Sequence, residues 1–188
     1  MNKLSIFFIS FLLAINTFAM PSSIVIIRHG EKPTEGPEGQ ELSKKGWKRA
    51  EKLPELFIKN LKLKKRGLPD FLIAVKPNSA TGSVRSIQTL EPISNWLNKP
   101  IQADHTKDEI DELVEFIRQS SEMTNKVVLI AWQHDSIAEL ANKLGATDAP
   151  SEWPSKVYDR FWLLDYNNEQ LVKFQNLPQQ LLDNDSKK

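Results

Sequence analysis

The sequence predicts an α/β sandwich built on a mostly parallel sheet. Three short apolar runs, residues 24–27, 71–75 and 127–131, have the length and composition of strands that are buried on both faces. Amphipathic patterns with apolar residues three and four positions apart separate these runs. Because strands that alternate with helices form sheets covered by those helices, the three runs are expected to share one sheet.

Length and composition narrow the class of protein. The chain has 188 residues, which is enough for one domain with a substantial core. Its 25 basic residues nearly balance 24 acidic ones, which argues against a nucleic-acid-binding protein. It contains no cysteine, so disulfides, thiolate catalysis and cysteine-ligated zinc are excluded.

The N-terminus has the pattern of a secretory signal peptide. Lys3 provides a positive charge, residues 4–15 are almost wholly apolar, and the small residue Ala19 offers a cleavage position. The apolar run is shorter than the about 20 residues that a membrane span needs. We therefore predict a signal peptide over residues 1–19, a folded domain over residues 20–188, and a periplasmic or secreted location. The alternatives are an uncleaved anchor and a buried N-terminal helix.

A long amphipathic helix is predicted after the first strand. Ser43 is a suitable N-cap, and Pro54 is expected to kink this helix or to split it in two. The residues of its apolar face are Trp47, Ala50, Leu53, Phe57 and Leu61. Its end is rich in cations, namely Lys59, Lys62, Lys64, Lys65 and Arg66. Such a cluster complements the helix dipole and is typical of a solvated face, and an anionic membrane surface is the alternative.

The next helix begins with a cation in an unusual place. Its predicted N-cap is Ser83. Its apolar face comprises Val84, Ile87, Leu90 and Ile93. Arg85 falls in the first turn, where the helix dipole is already positive. Because an anion would be attracted by both the dipole and the guanidinium, Arg85 is a candidate anion ligand.

Shorter elements follow in the second half of the chain. Residues 101–103 are predicted to form a short edge strand. Residues 108–118 and 136–144 are predicted to form helices, and Gly145 ends the second of them.

The C-terminal part is predicted to be a hairpin. Residues 160–166 and 171–175 have strand composition, and Asn167 and Asn168 supply the turn between them. The tail from Pro178 is polar and is expected to be frayed.

Arginine and histidine side chains that could bind or react with a ligand follow the predicted strands. Arg28 and His29 come directly after the first strand, Arg85 follows the second, and His134 follows the third. Ligands bind at the carboxyl ends of strands in open α/β sheets, and two arginines with two histidines suit a phosphoryl group. With no P-loop and no acidic metal cluster in the sequence, phosphoryl transfer to a histidine is predicted. Trp132, beside His134, is expected to wall this pocket or to pack in the core.

These motifs together resemble those of the histidine phosphatase superfamily, which has the phosphoglycerate-mutase-like fold. Arg28-His29-Gly30-Glu31 is similar to the family's signature tetrad, residues 42–50 resemble its following helix start, and residues 85–89 resemble its second-arginine motif. The strand that ends near His134 resembles the one that bears the second histidine. The resemblance covers most of residues 20–188 and implies a three-layer α/β/α sandwich.

The resemblance implies a role for each of the four residues. His29, in its neutral form, attacks phosphorus and becomes phosphohistidine, which water then hydrolyses. Arg28, Arg85 and His134 bind the phosphate oxygens and stabilise their growing charge. No metal ion and no cofactor take part in this chemistry.

The general acid has two candidates. Asp135 directly follows the second histidine and resembles the acid of the acid-phosphatase branch of the family. Glu109 is the candidate if the chain follows the compact branch, and Asp108 and Glu112 are its neighbours. Asp135 is slightly preferred, although it could instead cap the following helix. Glu31 is expected either to orient the pocket or to be solvated.

The expected function is that of an exported, metal-independent phosphatase that acts on a phosphomonoester through a phosphohistidine. The expected partner is a phosphorylated small molecule or an envelope glycolipid, with no nucleic acid and no stable membrane span after signal cleavage. The alternatives are a phosphohistidine-protein phosphatase, a non-catalytic phosphate-binding module, and a membrane-tethered scaffold that retains its signal segment.

Overall fold

The computed structural model describes residues 20–34, 40–79 and 82–187, so the predicted signal peptide, residues 1–19, lies outside the described part. The described residues form one six-stranded sheet with helices on both faces. Its strands are β1 (Ser23–Arg28), β2 (Phe71–Ala74), β3 (Ile101–Gln102), β4 (Val127–Trp132), β5 (Arg160–Asn167) and β6 (Gln170–Pro178). Of the described helices, none combines the length and the apolar composition that a bilayer crossing requires.

The strand order is β3-β2-β4-β1-β5-β6. The pairs β3-β2, β2-β4 and β4-β1 are parallel, whereas β1-β5 and β5-β6 are antiparallel. The predicted α/β sandwich is therefore confirmed, with a sheet that is mixed. The mixture arises at β5, which runs antiparallel to β1, and the short turn at Asn168, whose φ is 54°, then makes β6 antiparallel to β5.

Within the described ranges, five α-helices and one short 3-10 helix cover the sheet. The α-helices are α1 (Lys44–Lys59), α2 (Leu61–Lys64), α3 (Arg85–Leu97), α4 (Ile110–Gln119) and α5 (Ile137–Lys143), and the 3-10 helix is Ser121–Met123. Alternate side chains of β1 enter two separate cores, with Val25 against α1 and α3 on one face. Ile24 packs against α4 and α5 on the other face. This alternation gives the three layers their order.

The start of α1 is fixed close to the end of β1. Ser43 caps the helix as predicted, since its side chain accepts a hydrogen bond of 3.1 Å from the Gly46 amide. A Cβ added at Gly46 would collide with the backbone of Glu31, so only glycine allows this approach of helix to strand. The first turn of α1 therefore lies directly against the residues that follow β1.

Of the two outcomes predicted for Pro54, the split does not occur, because α1 runs unbroken from Lys44 to Lys59 with Leu53 and Phe57 buried in one core on either side of Pro54. One prediction about α1 is wrong. Leu61 does not continue the apolar face. The helix ends at Lys59, the side chain of the extended residue Asn60 caps α2, and Leu61 at the start of α2 is 73% exposed.

The predicted N-cap at Ser83 is also wrong. The N-cap position of α3 is Val84, and it makes no side-chain capping bond. The Val84 amide donates to the Gln40 carbonyl at 3.1 Å, and this tie fixes where the helix begins. Arg85 is the first helical residue, as the sequence indicates.

The C-terminal tail is not frayed, contrary to prediction. Gln179 and Leu181 are buried, and Leu181 joins the core beneath α1. Asp185 binds the buried guanidinium of Arg49 through two hydrogen bonds of 2.8 Å. A buried arginine needs carboxylate partners, and this requirement holds the tail in place.

Candidate active site

The end of β1 carries two of the predicted site residues. Arg28 is buried and His29 is only 4% exposed. The Gly30 amide donates to the Thr89 hydroxyl at 2.8 Å, which ties the end of β1 to the first turns of α3. Because β1 and β4 are parallel and in register from Ser23 to Arg28, His134 follows β4 at the same edge of the sheet.

The imidazole of His29 is held in one tautomer. Its Nδ1 lies 2.7 Å from the Gly30 carbonyl oxygen, which can only accept, so Nδ1 carries the proton and Nε2 keeps its lone pair in the neutral ring. Burial lowers the pKa of His29 to about 4, with help from the positive charges of Arg28 and Arg85 and against the pull of the Gly30 bond. At neutral pH His29 is therefore an unprotonated base with a defined free nitrogen.

A segment between α5 and β5 holds the guanidinium of Arg28. One terminal nitrogen donates to the carbonyls of Ser155 and Val157, and the other donates to the Tyr158 hydroxyl at 3.0 Å. The guanidinium carbon also lies 3.8 Å from the centre of the Tyr158 ring. The Arg28 Nε is buried without a hydrogen-bond partner among the described residues, so it is a donor that a ligand could satisfy.

Arg85 is the first residue of α3, the helix that Thr89 ties to Gly30. Its Nε donates to the Glu41 carbonyl at 3.3 Å, and Thr89 bonds back to the Arg85 carbonyl at 2.7 Å. Its positive charge lowers the pKa of both Arg28 and His29, although for each of them burial is the larger cause. Arg85 is therefore close enough to act on both groups.

His134 completes the set. It is half-buried, and its pKa is lowered first by burial and then by the charge of Arg28, against the opposing effect of Asp135. The structure thus brings Arg28, His29, Arg85 and His134 together at one sheet edge.

Asp135 lies beside this group at the rim. Its carboxylate is 47% exposed and lies 3.3 Å from the Lys107 ammonium. Its charge raises the pKa of His134 and Arg28, which places it within electrostatic reach of both. It does not cap α5, because Ser136 holds the N-cap position without a side-chain capping bond.

Glu109 does not act on the group as Asp135 does, because its charge is not among those that shift the pKa of Arg28, His29 or His134. It is exposed, it stands at the N-cap position of α4, and it accepts a hydrogen bond of 2.7 Å from the Thr106 amide, which lowers its pKa. Of its neighbours, Asp108 contacts Lys107 at 3.5 Å. The described residues that line the cleft beside Arg28 and His134 include neither acid candidate, Asp135 or Glu109, and neither His29 nor Arg85.

A cleft of about 720 Å³ opens next to Arg28, His134 and Tyr158. Four lysines line it, namely Lys32, Lys44, Lys45 and Lys156. The one carboxylate among its described lining residues is Glu31. The cleft is therefore strongly cationic and suits an anionic ligand.

Glu31 is buried and paired, so it is not a solvated residue. Burial would raise its pKa, but two hydrogen bonds from Arg49, of 2.8 and 3.0 Å, outweigh this effect and lower it. Lys45 adds a contact of 3.3 Å. Glu31 is thus ionised and links the residues after β1 to α1.

Some features of the site were missed or misassigned from the sequence. Ser155 and Tyr158 lie in an irregular segment without periodicity, and only an aromatic residue near the last strand could have suggested them. Trp132 is fully buried in the core beside α4 and α5, so it does not wall the pocket. Among the described residues, no three His, Asp or Glu side chains converge as metal ligands.

Comparisons with known proteins agree with this geometry at the level of the fold. No protein-family model and no curated protein matches the chain. Several solved structures are similar to the chain. A protein histidine phosphatase SixA, solved with tungstate, is 16% identical with a TM-score of 0.59, and the match covers 84% of this chain and 97% of that one.

Two further solved structures are similar. The mycobacterial glucosyl-3-phosphoglycerate phosphatase Rv2419c is 13% identical with a TM-score of 0.53, and the match covers 84% of this chain and 97% of that one. A protein assigned as the phosphohistidine phosphatase SixA of Agrobacterium tumefaciens is 20% identical with a TM-score of 0.51, and the match covers 84% and 99% of the two chains. The chain has the phosphoglycerate-mutase-like α/β fold that these phosphatases share.

Proposed function

We propose that this chain is an exported, metal-independent phosphatase that hydrolyses a phosphomonoester through a phosphohistidine at His29. The observation that carries the proposal is the state of His29. Its Nδ1 is bonded to the Gly30 carbonyl at 2.7 Å, its pKa is lowered to about 4, and cationic side chains surround it. A neutral imidazole with one free nitrogen beside fixed positive charges is what in-line attack on a phosphate dianion requires.

In the first step, the lone pair of His29 Nε2 forms the nitrogen–phosphorus bond while the bond from phosphorus to the leaving oxygen breaks. Arg28, Arg85 and His134 bind the three non-bridging oxygens, whose charge grows in the transition state. The leaving oxygen takes a proton from a carboxylic acid. In the second step, the carboxylate left by that acid takes a proton from water while the water oxygen attacks phosphorus, the nitrogen–phosphorus bond breaks and returns its electron pair to His29 Nε2, and inorganic phosphate leaves.

Asp135 is the proposed general acid. It lies within electrostatic reach of Arg28 and His134, and its exposed carboxyl can exchange protons with solvent. Glu109 is the alternative, although its carboxylate is bonded to the Thr106 amide. The variants Asp135→Asn and Glu109→Gln separate the two candidates, because only loss of the true general acid slows the release of a poor leaving group.

The lysines of the cleft favour a substrate with an anionic body. A phosphorylated small molecule or the head group of an envelope glycolipid fits this requirement, and so does a phosphohistidine on an acidic protein surface. The fold neighbours include a glucosyl-3-phosphoglycerate phosphatase and a protein histidine phosphatase, which act on substrates of two of these kinds. The signal-like pattern of residues 1–19 supports an exported location.

Hydrolysis of phenyl phosphate in the presence of a chelator tests the proposal. His29→Ala is expected to abolish the activity, because no other group supplies the nucleophile. His105→Ala is the matched control, since the His105 ring packs on Phe116 at 5.6 Å and its charge is not among those that shift the pKa of His29. Equal activity in wild type and His29→Ala would contradict the proposal.

A non-catalytic phosphate-binding module is the second candidate, and the dense positive charge of the cleft favours it as well. In that case the pure protein binds inorganic phosphate in calorimetry but turns over no phosphomonoester. Mass measurement of the isolated protein shows whether residues 1–19 have been removed, and this result separates an exported protein from a tethered scaffold.

A further inference from the structure

One corner of the molecule exposes apolar side chains among lysines. This corner, residues 58–68, contains Ile58, Leu61 and Leu68, which are 50%, 73% and 44% exposed. They are three of the five large hydrophobic side chains that are exposed in the described part of the chain, and the other two are far apart in sequence. Solvated faces rarely gather apolar side chains in this way, so the corner is a candidate contact surface.

The corner also carries uncompensated positive charge. Lys62, Lys64 and Lys65 are exposed and form no ion pair with any described residue. Lys59 is paired with Glu55, and Arg66 is paired with Asp165. A partner for this surface must therefore present negative charge together with an apolar layer.

The corner is held rigidly by the fold. Leu63, in the middle of α2, is 1% exposed and joins the core beneath α1, and Asn60 caps the helix. Arg66 binds both Asp165 and the Lys62 carbonyl. The exposed side chains are thus presented on a fixed frame, and a partner does not have to order this segment.

The corner lies at the amino ends of β1 and β4, whereas the cleft lies at their carboxyl ends. Asp165, the partner of Arg66, pairs with Ser23 at the start of β1. Asp70, just beyond the corner, accepts a hydrogen bond from the amide of Val127 at the start of β4. Since His29 and His134 follow the other ends of these six-residue strands, the corner and the cleft are about 20 Å apart.

The N-terminal segment enters the fold at this same edge. The Met20 carbonyl accepts a hydrogen bond from Asn125, and the Ser22 amide donates to the carbonyl of Lys126, immediately before β4. The described chain therefore begins at the same ends of the strands as the corner.

We propose that residues 58–68 dock the protein on the surface of a bilayer that contains anionic phospholipid. Ile58, Leu61 and Leu68 enter the boundary between head groups and acyl chains, and the three unpaired lysines bind lipid phosphates. In this orientation the cleft points away from the bilayer, so substrate reaches it from the aqueous side.

Vesicle sedimentation tests this docking surface with the protein as it is isolated after export. We expect the protein to bind vesicles that contain about one third phosphatidylglycerol in phosphatidylcholine, and to bind phosphatidylcholine alone poorly. Raising the salt to about 0.5 M should release it, because the attraction is partly electrostatic. The variant Leu61→Ser/Lys62→Gln should bind about tenfold more weakly.

The matched control is Val172→Ser/Lys48→Gln, which replaces an exposed apolar residue on β6 and an exposed lysine in the first half of α1, outside residues 58–68. It should bind as tightly as wild type, and circular dichroism should show all three proteins equally folded. No binding by wild type, equal binding to both kinds of vesicle, or no difference between the two double variants would each overturn the proposal. If the corner binds another protein instead of a bilayer, the wild-type protein should not bind vesicles.

Discussion

Burial and the neighbouring positive charges both lower the pKa of His29. The ring is 4% exposed, and Arg28 and Arg85 disfavour a further positive charge beside them. The sequence alone could predict this group, because each member follows a predicted strand at the edge where ligands bind. It could not predict the Gly30 contact that fixes the tautomer, since that contact depends on the turn after β1.

The titration of His29 is therefore expected to be displaced to low pH. Its folded-state pKa of about 4 lies below the ordinary value of 6.5, so the unfolded chain takes up the proton first as the pH falls. The contribution of neutral His29 to stability is complete above pH 6.5 and declines as the pH drops toward 4. Histidine NMR spectra, with His29→Ala to assign the signal, should give a midpoint near 4, and a midpoint near 6.5 would refute this assignment.

At the scale of elements, the irregular segment before β5 is as important to the site as the strands. Its carbonyls and Tyr158 hold Arg28, whose guanidinium has no carboxylate partner among the described residues. The strands and helices could be predicted from periodicity and capping residues such as Ser43. The segment before β5 could not be predicted, because its sequence has no periodic pattern and it forms no regular element.

Tyr158→Phe should remove the hydroxyl contact to Arg28 and keep the ring in place. We expect kcat/KM for phenyl phosphate to fall about tenfold, because a hydrogen bond to a charged group is lost. Tyr166→Phe is the control, since the Tyr166 hydroxyl donates to the Leu144 carbonyl at 2.9 Å away from the cleft. If both variants kept full activity, Tyr158 would not position Arg28.

At the scale of the whole molecule, a chain of charges joins the site to the C-terminus. Glu31 follows β1, Arg49 lies in α1, and Asp185 lies in the tail. Arg49 and Asp185 are 136 positions apart, and the sequence around either residue does not predict their ion pair. The polar composition of the tail therefore predicts fraying, although the Arg49–Asp185 pair anchors the tail in the structure.

Asp185→Asn should lower the free energy of unfolding by about 3 kcal/mol in urea titrations, because it leaves Arg49 buried with a single carboxylate partner. Asp183→Asn, an exposed change in the same tail, should have no measurable effect. Burial would raise the pKa of Asp185, but the Arg49 bond outweighs it and lowers the pKa. The stabilisation is therefore present at neutral pH and lost on acidification, and equal stability of the two variants would disprove the anchoring role.

The central claim is that His29 carries the phosphoryl group during turnover. The most direct measurement is to mix the protein with radiolabelled phenyl phosphate in chelator, quench with alkali within the first turnover, and map the label by peptide mass spectrometry. We predict phosphohistidine at His29 that forms before product accumulates and is absent from His29→Ala. Hydrolysis that proceeds with no label on His29, or with label on another residue, would contradict the mechanism.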